Sequence, residues 1–485
     1  MKFTAALVLA VLPSTISAFG TFQKSNIFRN FGIAAPPTAP PEEIDLYTEI
    51  DELLDSALLM YPIAYLRGFA KKGELPKEFL ELPMSAIRLE ELINKNMDMV
   101  SEKLDSTESE LQMDALRTIV ARQETKKGSN SNAVCREFQD DESNKELVYS
   151  VRTGTYFSFK ISAIPHNNKY HGTAVLRLHA ALIFLRCIYL FCWLCDKDPA
   201  RNRVIVAFRG SITKKDLLTD AMIWMKDMPN RMKKFDPENQ PDIVRVHAGF
   251  WYYLFGKSSL TEEEYNELLQ LKPESIELIE GEEISKFDEI LQFHVLPLLK
   301  KNPGYSLSVT GHSLGAALAT MFAFRAATIE NESIIKPVTC VSVASPYVGD
   351  ENYRQAFMLA EKMGRIRHLR LSNHKDVIGI LPFVSFRPRF WKNNPSVGTL
   401  FKHVGLNLKL YENKNPPYEL TYPNDGLLGE LSRAWGQSFF TNLALPSTYR
   451  ANHGPLEYND RLQKGEEALK EETLESMFET FMNRD

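Results

Sequence analysis

Apolar residues recur at helical spacing through residues 43–65, where Leu46, Ile50, Leu53, Leu54, Ala57 and Leu58 share one side. Residues 85–123 continue the pattern with Ile87, Leu92, Met97, Val100 and Leu104 among many charges. These stretches predict a helical N-terminal region over 42–125, closed by a polar linker at 126–132. From there the period changes. Val204, Ile205, Val206, Ala207 and Phe208 form a β run ending at Arg209-Gly210-Ser211. Residues 214–228 read as an amphipathic helix with Leu218, Met222 and Met225 on its apolar side, and 243–250 as another strand. Residues 260–289 are strongly acidic and read as a solvated excursion. Residues 285–301 predict a helix kinked at Pro297. Strands follow at 305–309, 338–344, 366–372 and 403–410, with a helix of small residues at 316–327 and a charged helix at 466–481. Strands alternating with helices predict an α/β fold with a mostly parallel central sheet.

Two stretches do not fit this rhythm. Residues 174–195 are long and apolar, but Arg177 and Arg186 interrupt them. Each would cost about 2.5–3.5 kcal/mol at the centre of a membrane helix, so 154–195 reads as an insertion into the fold, either a retained intron or a family-specific segment. Removing roughly 154–190 would bring Leu147, Val148 and Tyr149 up to Asp196 as a compact hairpin. The other stretch is the N-terminus. Residues 1–18 have the layout of a secretory signal peptide, with Lys2, an apolar run over 3–12 and the small pair Ser17-Ala18. Residues 19–41 contain no Asp or Glu but include Lys24, Arg29 and several Ser and Thr, ending in a Pro/Ala-rich linker. This is the composition of a transit peptide, and Ala18-Phe19 resembles the junction of presequences to plastids of secondary red-algal origin. Entry into the secretory pathway is expected, with a plastid or a secreted or endomembrane destination open.

Composition narrows the function classes. The chain has 485 residues, 44% of them hydrophobic, which is enough for one large core plus extra elements. Its net charge is only −5, and acidic and basic residues alternate, so no nucleic-acid partner is implied. The five cysteines are odd in number and irregularly spaced, so no disulfide framework is read. Cys192 and Cys195 have C-x-x-C spacing, but no second ligand pair follows at a zinc distance. No metal and no cofactor is expected.

The chemistry centres on Gly311-His312-Ser313-Leu314-Gly315. The G-x-S-x-G pattern lies between a strand and an Ala-rich helix, the setting in which it marks a nucleophile elbow. The competing reading is a turn serine capping the helix N-terminus. A serine hydroxyl needs a general base, and the base needs a carboxylate to orient it. Asp376, just past a strand end, is the candidate acid. Two histidines follow it, His403 and His453. His403 opens an apparent strand, whereas His453 lies in a loop ahead of a turn at 456–462, a place from which an imidazole reaches an elbow more readily. For the oxyanion, the N–H of Leu314 is one expected donor, and Ser211, after Gly210, is the other.

With these residues in place, 203–462 resembles the class 3, fungal-lipase-like α/β-hydrolases. The matching pieces are Phe208-Arg209-Gly210-Ser211 with Asp220, Val246-His247-Ala248-Gly249-Phe250, Thr310 to Gly315, Ser345-Pro346-Tyr347-Val348-Gly349-Asp350, Asp376 with Leu381-Pro382, His403-Val404-Gly405, and His453 with Tyr458. One departure is Ala316, where the family usually has glycine. The chain is read as an α/β-hydrolase domain over 135–465 followed by a C-terminal helix at 466–485, and the resemblance implies Ser313, Asp376 and His453 as triad and Ser211 and Leu314 as oxyanion hole. It implies a serine ester hydrolase acting on glycerolipids, whether triacylglycerol or polar membrane lipid. Residues 217–232 lie where such enzymes carry a lid. Their basic end, with Arg387, Arg389 and Lys392 around Phe386, Phe390 and Trp391, suits contact with an anionic membrane or lipid-droplet surface. Two other functions stay open, a catalytically inactive hydrolase used for lipid binding or scaffolding, and an acyltransferase working through the same acyl-enzyme.

Overall fold

The computed structural model describes residues 44–80, 86–103, 134–137, 192–198, 201–210, 224–256, 284–382, 385, 399–422 and 452–482. All of them belong to one compact unit, Glu42–Asp485. The expected signal and transit segments, the linker at 126–132, Ser211, Asp220 and the basic aromatic run at 386–392 lie outside the described residues.

The strands are β1 (Val134–Glu137), β2 (Cys192–Asp198), β3 (Arg203–Phe208), β4 (Met225–Pro229), β5 (Ile243–His247), β6 (Ser306–His312), β7 (Ile335–Val343), β8 (Ile366–Asn373), β9 (Leu406–Leu410) and β10 (Tyr418–Thr421). Eight of them form one sheet in the order β1-β2-β3-β6-β7-β8-β9-β10. From β3 to β9 every neighbouring pair is parallel, and antiparallel strands finish both edges. This is the mostly parallel α/β sheet the alternating pattern predicts. A parallel strand covered on both faces must be apolar throughout, and all six residues of β3 are buried.

Helices cover both faces. They are α1 (Leu46–Lys71), α2 (Ala86–Lys95), α3 (Met97–Lys103), α4 (Ala248–Phe255), α5 (Lys286–Glu289), α6 (Leu296–Lys301), α7 (Leu314–Ala327), α8 (Glu351–Lys362), α9 (Pro455–Lys464), α10 (Glu466–Leu469) and α11 (Leu474–Met482). Alternate strand residues sort into two cores, as the two-residue side-chain period requires. Val204, Val206, Phe208, Leu307 and Val309 pack with Phe250, Phe287, Phe322 and Phe357 from α4, α5, α7 and α8. Ile205, Val341, Val343, Leu369 and Leu371 pack with Leu53, Leu54 and Leu58 of α1 and with Tyr458, Leu462 and Phe478 of α9 and α11. Helix α1 therefore belongs to the same core as the sheet. It starts where the Asp45 carboxylate accepts from Thr48 N at 2.9 Å, a side-chain cap for an otherwise unpaired amide. A buried ionic cluster ties it to the strand edge, with Arg203 reaching Glu49 at 3.3 Å, Glu52 at 2.5 Å and Asp198 at 3.0 Å.

Several local expectations are corrected. Residues 225–229, expected to end an amphipathic helix, form β4 paired antiparallel with β5. Apolar residues three apart at Met222, Met225 and Met228 read as helical, but pairing with Ile243–His247 supplies the backbone partners that decide the outcome. The strand expected over 243–250 stops at His247, whose Nδ1 accepts from Phe250 N at the start of α4. The irregularity in 285–301 is a π-helical turn at Ile290–Val295 that runs directly into α6, with Pro297 beside the junction. Residues 456–462 belong to α9 rather than a turn, and the terminal helix is split in two. Strand β2 includes residues 192–195, the end of the segment expected to be an insertion. These four residues pair with β1, and Trp193, Leu194 and Cys195 also pair with β3.

Candidate active site

Strand β6 ends at His312, and α7 begins at Leu314. Ser313 between them has φ 60° and ψ −124°, a conformation costing a non-glycine residue about 1–3 kcal/mol that only a well-determined surrounding can hold. Its N–H is fixed to Val343 O at 2.9 Å. The flanking glycines are required by close approach. A Cβ on Gly311 would fall 2.3 Å from Gly315 O, and one on Gly315 would fall 2.1 Å from Phe208 O. Ala316, where the family usually has glycine, is fully buried without disturbing the helix. Ser313 makes no side-chain cap hydrogen bond to α7, which removes the competing reading of a capping serine.

The Ser313 hydroxyl instead meets His453, with Oγ 3.0 Å from Nε2. His453 Nδ1 is 2.9 Å from Asp376 Oδ2. The three residues come from positions 140 and 77 apart in sequence, and all are buried. A carboxylate only accepts, so Nδ1 carries the proton and Nε2 presents a lone pair to the serine. That is the tautomer in which an imidazole can take a hydroxyl proton.

Asp376 is itself held in place. Its Oδ1 accepts from Ile378 N at 2.9 Å, and its Oδ2 accepts from the Tyr458 hydroxyl at 2.7 Å. The same Tyr458 oxygen accepts from Asn373 N at 3.0 Å. Burial and the neighbouring Asp376 keep the Tyr458 phenol well above its ordinary pKa, so it remains a donor. The segment carrying His453 is tied to the sheet through Asn452. Its carbonyl accepts from Asn373 Nδ2 at 3.1 Å, and its Oδ1 accepts from buried Arg461 at 2.7 Å.

His403, the alternative base, is placed elsewhere. Its Nε2 bonds the Gly379 carbonyl, and its ring stacks on Tyr347 at 3.9 Å. Leu314 is the first residue of α7, so its N–H is among those with no partner inside the helix. Ser211 lies outside the described residues, but Gly210 before it is placed against the elbow. A Cβ there would be 2.5 Å from His312 O and 3.0 Å from the Ser313 Cβ. Sequence reasoning gave no role to Tyr458, Arg461 or His312. Tyr458 is one of the pieces that carry the family resemblance, but nothing in the sequence shows what its hydroxyl bonds, and Arg461 on the same helix after His453 looks like an ordinary surface arginine.

Residues 205–386 match the family model described as lipase (class 3). This segment is a class 3 lipase domain. The class 3 segment holds Ser313, Leu314 and Asp376, while His453, Tyr458 and Arg461 lie beyond its end. Among similar proteins are phospholipase A1-Ialpha2, chloroplastic, of Arabidopsis thaliana, 29% identical over 44% of this chain and 41% of that protein. Galactolipase DONGLE, chloroplastic, of the same plant is 26% identical over 44% of this chain and 42% of that protein. The chain thus spans about two fifths of the length of these curated relatives. A lipase from Rhizopus microsporus var. chinensis overlays with a TM-score of 0.31 at 18% identity, covering 48% of this chain and 62% of that one, too loosely to argue from.

Proposed function

We propose that this protein is a serine carboxylic-ester hydrolase that deacylates glycerolipids. The observation that carries the reading is the hydrogen-bonded series Ser313 Oγ, His453 Nε2, His453 Nδ1, Asp376 Oδ2 on a strained elbow at the carboxyl end of the central strands. In this reading Ser313 attacks the ester carbonyl while His453 takes its proton. Asp376 holds the imidazole and stabilises its charge. The Leu314 N–H, with Ser211, receives the oxyanion, each donor lowering the barrier by about 2.7–4 kcal/mol. His453 then protonates the leaving alcohol, and water repeats the cycle on the acyl-enzyme.

Polar membrane lipids are the favoured substrates within this class. The relatives' names, phospholipase A1 and galactolipase, support them. The acid-free, Ser/Thr-containing segment 19–41 behind a signal-like leader, together with relatives named chloroplastic, supports passage through the secretory pathway to a plastid. A fluorescent fusion of residues 1–45 tests that destination, and bulk secretion without organelle signal refutes it. A lipid-droplet or membrane surface is where such substrates are met.

The decisive experiment incubates the purified chain with triacylglycerol, phosphatidylcholine, phosphatidylglycerol and monogalactosyldiacylglycerol, each beside Ser313→Ala. Fatty-acid release from a polar lipid that Ser313→Ala abolishes is the expected result. No release from any of the four, or release that persists in Ser313→Ala, refutes it. If no Ser313-dependent fluorophosphonate adduct forms either, the inactive lipid-binding alternative is left. Transfer of the acyl group to an added alcohol in preference to water favours the acyltransferase.

A further inference from the structure

The side chain of Tyr61 reaches the elbow from helix α1, well outside residues 205–386 and before the stretch that resembles the family. Its hydroxyl is 2.7 Å from His312 Nδ1, across 251 residues of sequence, and the two rings meet edge-on at 5.7 Å. The other nitrogen of that imidazole, His312 Nε2, is 3.1 Å from the main-chain carbonyl of His453. A carbonyl can only accept, so Nε2 carries the proton and Nδ1 offers a lone pair. The Tyr61 hydroxyl is then the donor. Burial and the neighbouring His453 keep His312 well below the usual histidine pKa, so it stays neutral and does not compete for the Ser313 proton.

The same hydroxyl lies against the loop that precedes Ser211, so close that a Cβ on Gly210 would fall 2.4 Å from it. One oxygen thus touches the elbow and the Gly210 turn, and through His312 it reaches the main chain of the base. The helix that presents it is firmly seated. Thr310 Oγ1 donates to Leu53 O at 3.1 Å, Arg203 pairs with Glu52, and Leu53, Leu54 and Leu58 are buried in the sheet core.

We propose that Tyr61 is a positioning residue of the esterase site. Through His312 it fixes the main chain of His453, and with it the aim of the imidazole at Ser313, so that helix α1 is a working part of the catalytic unit. This rests on the reading of Ser313 as nucleophile and assigns a task to the N-terminal region. Tyr61→Phe keeps the ring and its packing and removes only the donor. A displacement of the base by a fraction of an ångström to 1 Å costs about 10- to 100-fold in rate.

The test measures hydrolysis of p-nitrophenyl butyrate, a soluble ester that needs no lipid surface, by the full chain, by Tyr61→Phe, by His312→Gln and by the double variant. Active sites are titrated with a fluorophosphonate so that kcat refers to competent Ser313. The expected result is a tenfold or greater fall in kcat for Tyr61→Phe with KM within twofold. The double variant is expected to lose no more than the weaker single, because both act through one chain of hydrogen bonds. A kcat within twofold of the parent overturns the proposal, and so does a Tyr61→Phe loss that repeats in full on the His312→Gln background. Should Y61F not fold, His312→Gln alone carries the test, with the same fall in kcat expected and an unchanged kcat overturning it. Ser313→Ala separates the two levels of inference. If it remains active the esterase reading fails, and if it is silent while Tyr61→Phe is fully active only the Tyr61 proposal fails.

Discussion

Glu361, near the end of α8, is a buried carboxyl whose charge the fold opposes. The Tyr422 hydroxyl bonds its Oε2, while Oε1 has no hydrogen-bond partner among the described residues. Burial pushes its pKa from 4.5 up to about 8, against the opposing pulls of the Tyr422 hydrogen bond and the Arg367 guanidinium. Below pH 4.5 the group is protonated in both folded and unfolded chains, and its contribution to stability is fully present. Between pH 4.5 and about 8 the unfolded chain releases the proton while the folded chain keeps it, so stability falls as pH rises. Each pH unit in that window costs about 1.4 kcal/mol, giving a full swing of the order of 4–5 kcal/mol. Glu361→Gln keeps the shape and the acceptor for Tyr422 but cannot ionise. It places an amide where Oε1 lacks a partner, a cost of about 1 kcal/mol at every pH. Urea unfolding followed by circular dichroism at pH 5.0, 6.5 and 8.5 compares the two proteins, the pH values being about one half-unit above the lower bound, mid-window and just past the upper. The variant is expected to be equal or slightly weaker at pH 5.0 and more stable by about 2–4 kcal/mol at pH 8.5. A difference between the two proteins that stays constant across the three pH values refutes the reasoning.

Two further substitutions probe the supports of the site. Tyr458→Phe removes the donor to Asp376 and leaves the Asn373 N–H buried without its acceptor. It is expected to cost about 1–3 kcal/mol in thermal unfolding and to lower kcat about tenfold on a soluble ester, and an unchanged kcat would make Tyr458 structural only. Arg203→Met strips the shared cation from Glu49, Glu52 and Asp198. Breaking a buried ionic cluster from one side costs about 3–5 kcal/mol, read as a lowered urea midpoint, and a midpoint equal to the parent's would mean the cluster is already solvated.

The parts of the fold that were legible in the sequence are those with a strong local signal. Residues 204–208 are an apolar run rich in β-branched residues that reads as an interior strand, and the glycines around Ser313 announce a turn no larger residue could enter. The elements misread are those where a distant partner decides. Met225 and Met228 have a spacing that suits a helix, and only the presence of Ile243–His247 alongside makes them a strand. Strand β1 is four residues at the sheet edge with charges at two of them, and its pairing with β2 is invisible locally. Tyr61 is the sharpest case. On a helix of apolar spacing it looks like one more core aromatic, and its hydroxyl gains meaning only from a histidine 251 residues away.

The division of labour around Ser313 follows from where the sheet puts its strand ends. Strands β6, β7 and β8 are adjacent and parallel, so the elbow after β6 and the acid after β8 emerge on the same edge, one strand apart. That much lies inside the class 3 segment. The imidazole that bridges them, His453, comes from outside those strands, in the residues just before α9. The chain places it by returning after β10 and fastening the residues before α9 to β8 through Asn373, to α9 through Arg461 and to the elbow through His312. Only the last of these contacts touches His453 itself, at its carbonyl, and because that carbonyl only accepts, His312 Nε2 donates to it while Nδ1 accepts from Tyr61. On the proposed reading, the aim of the His453 imidazole is set by helix α1, which precedes the class 3 segment.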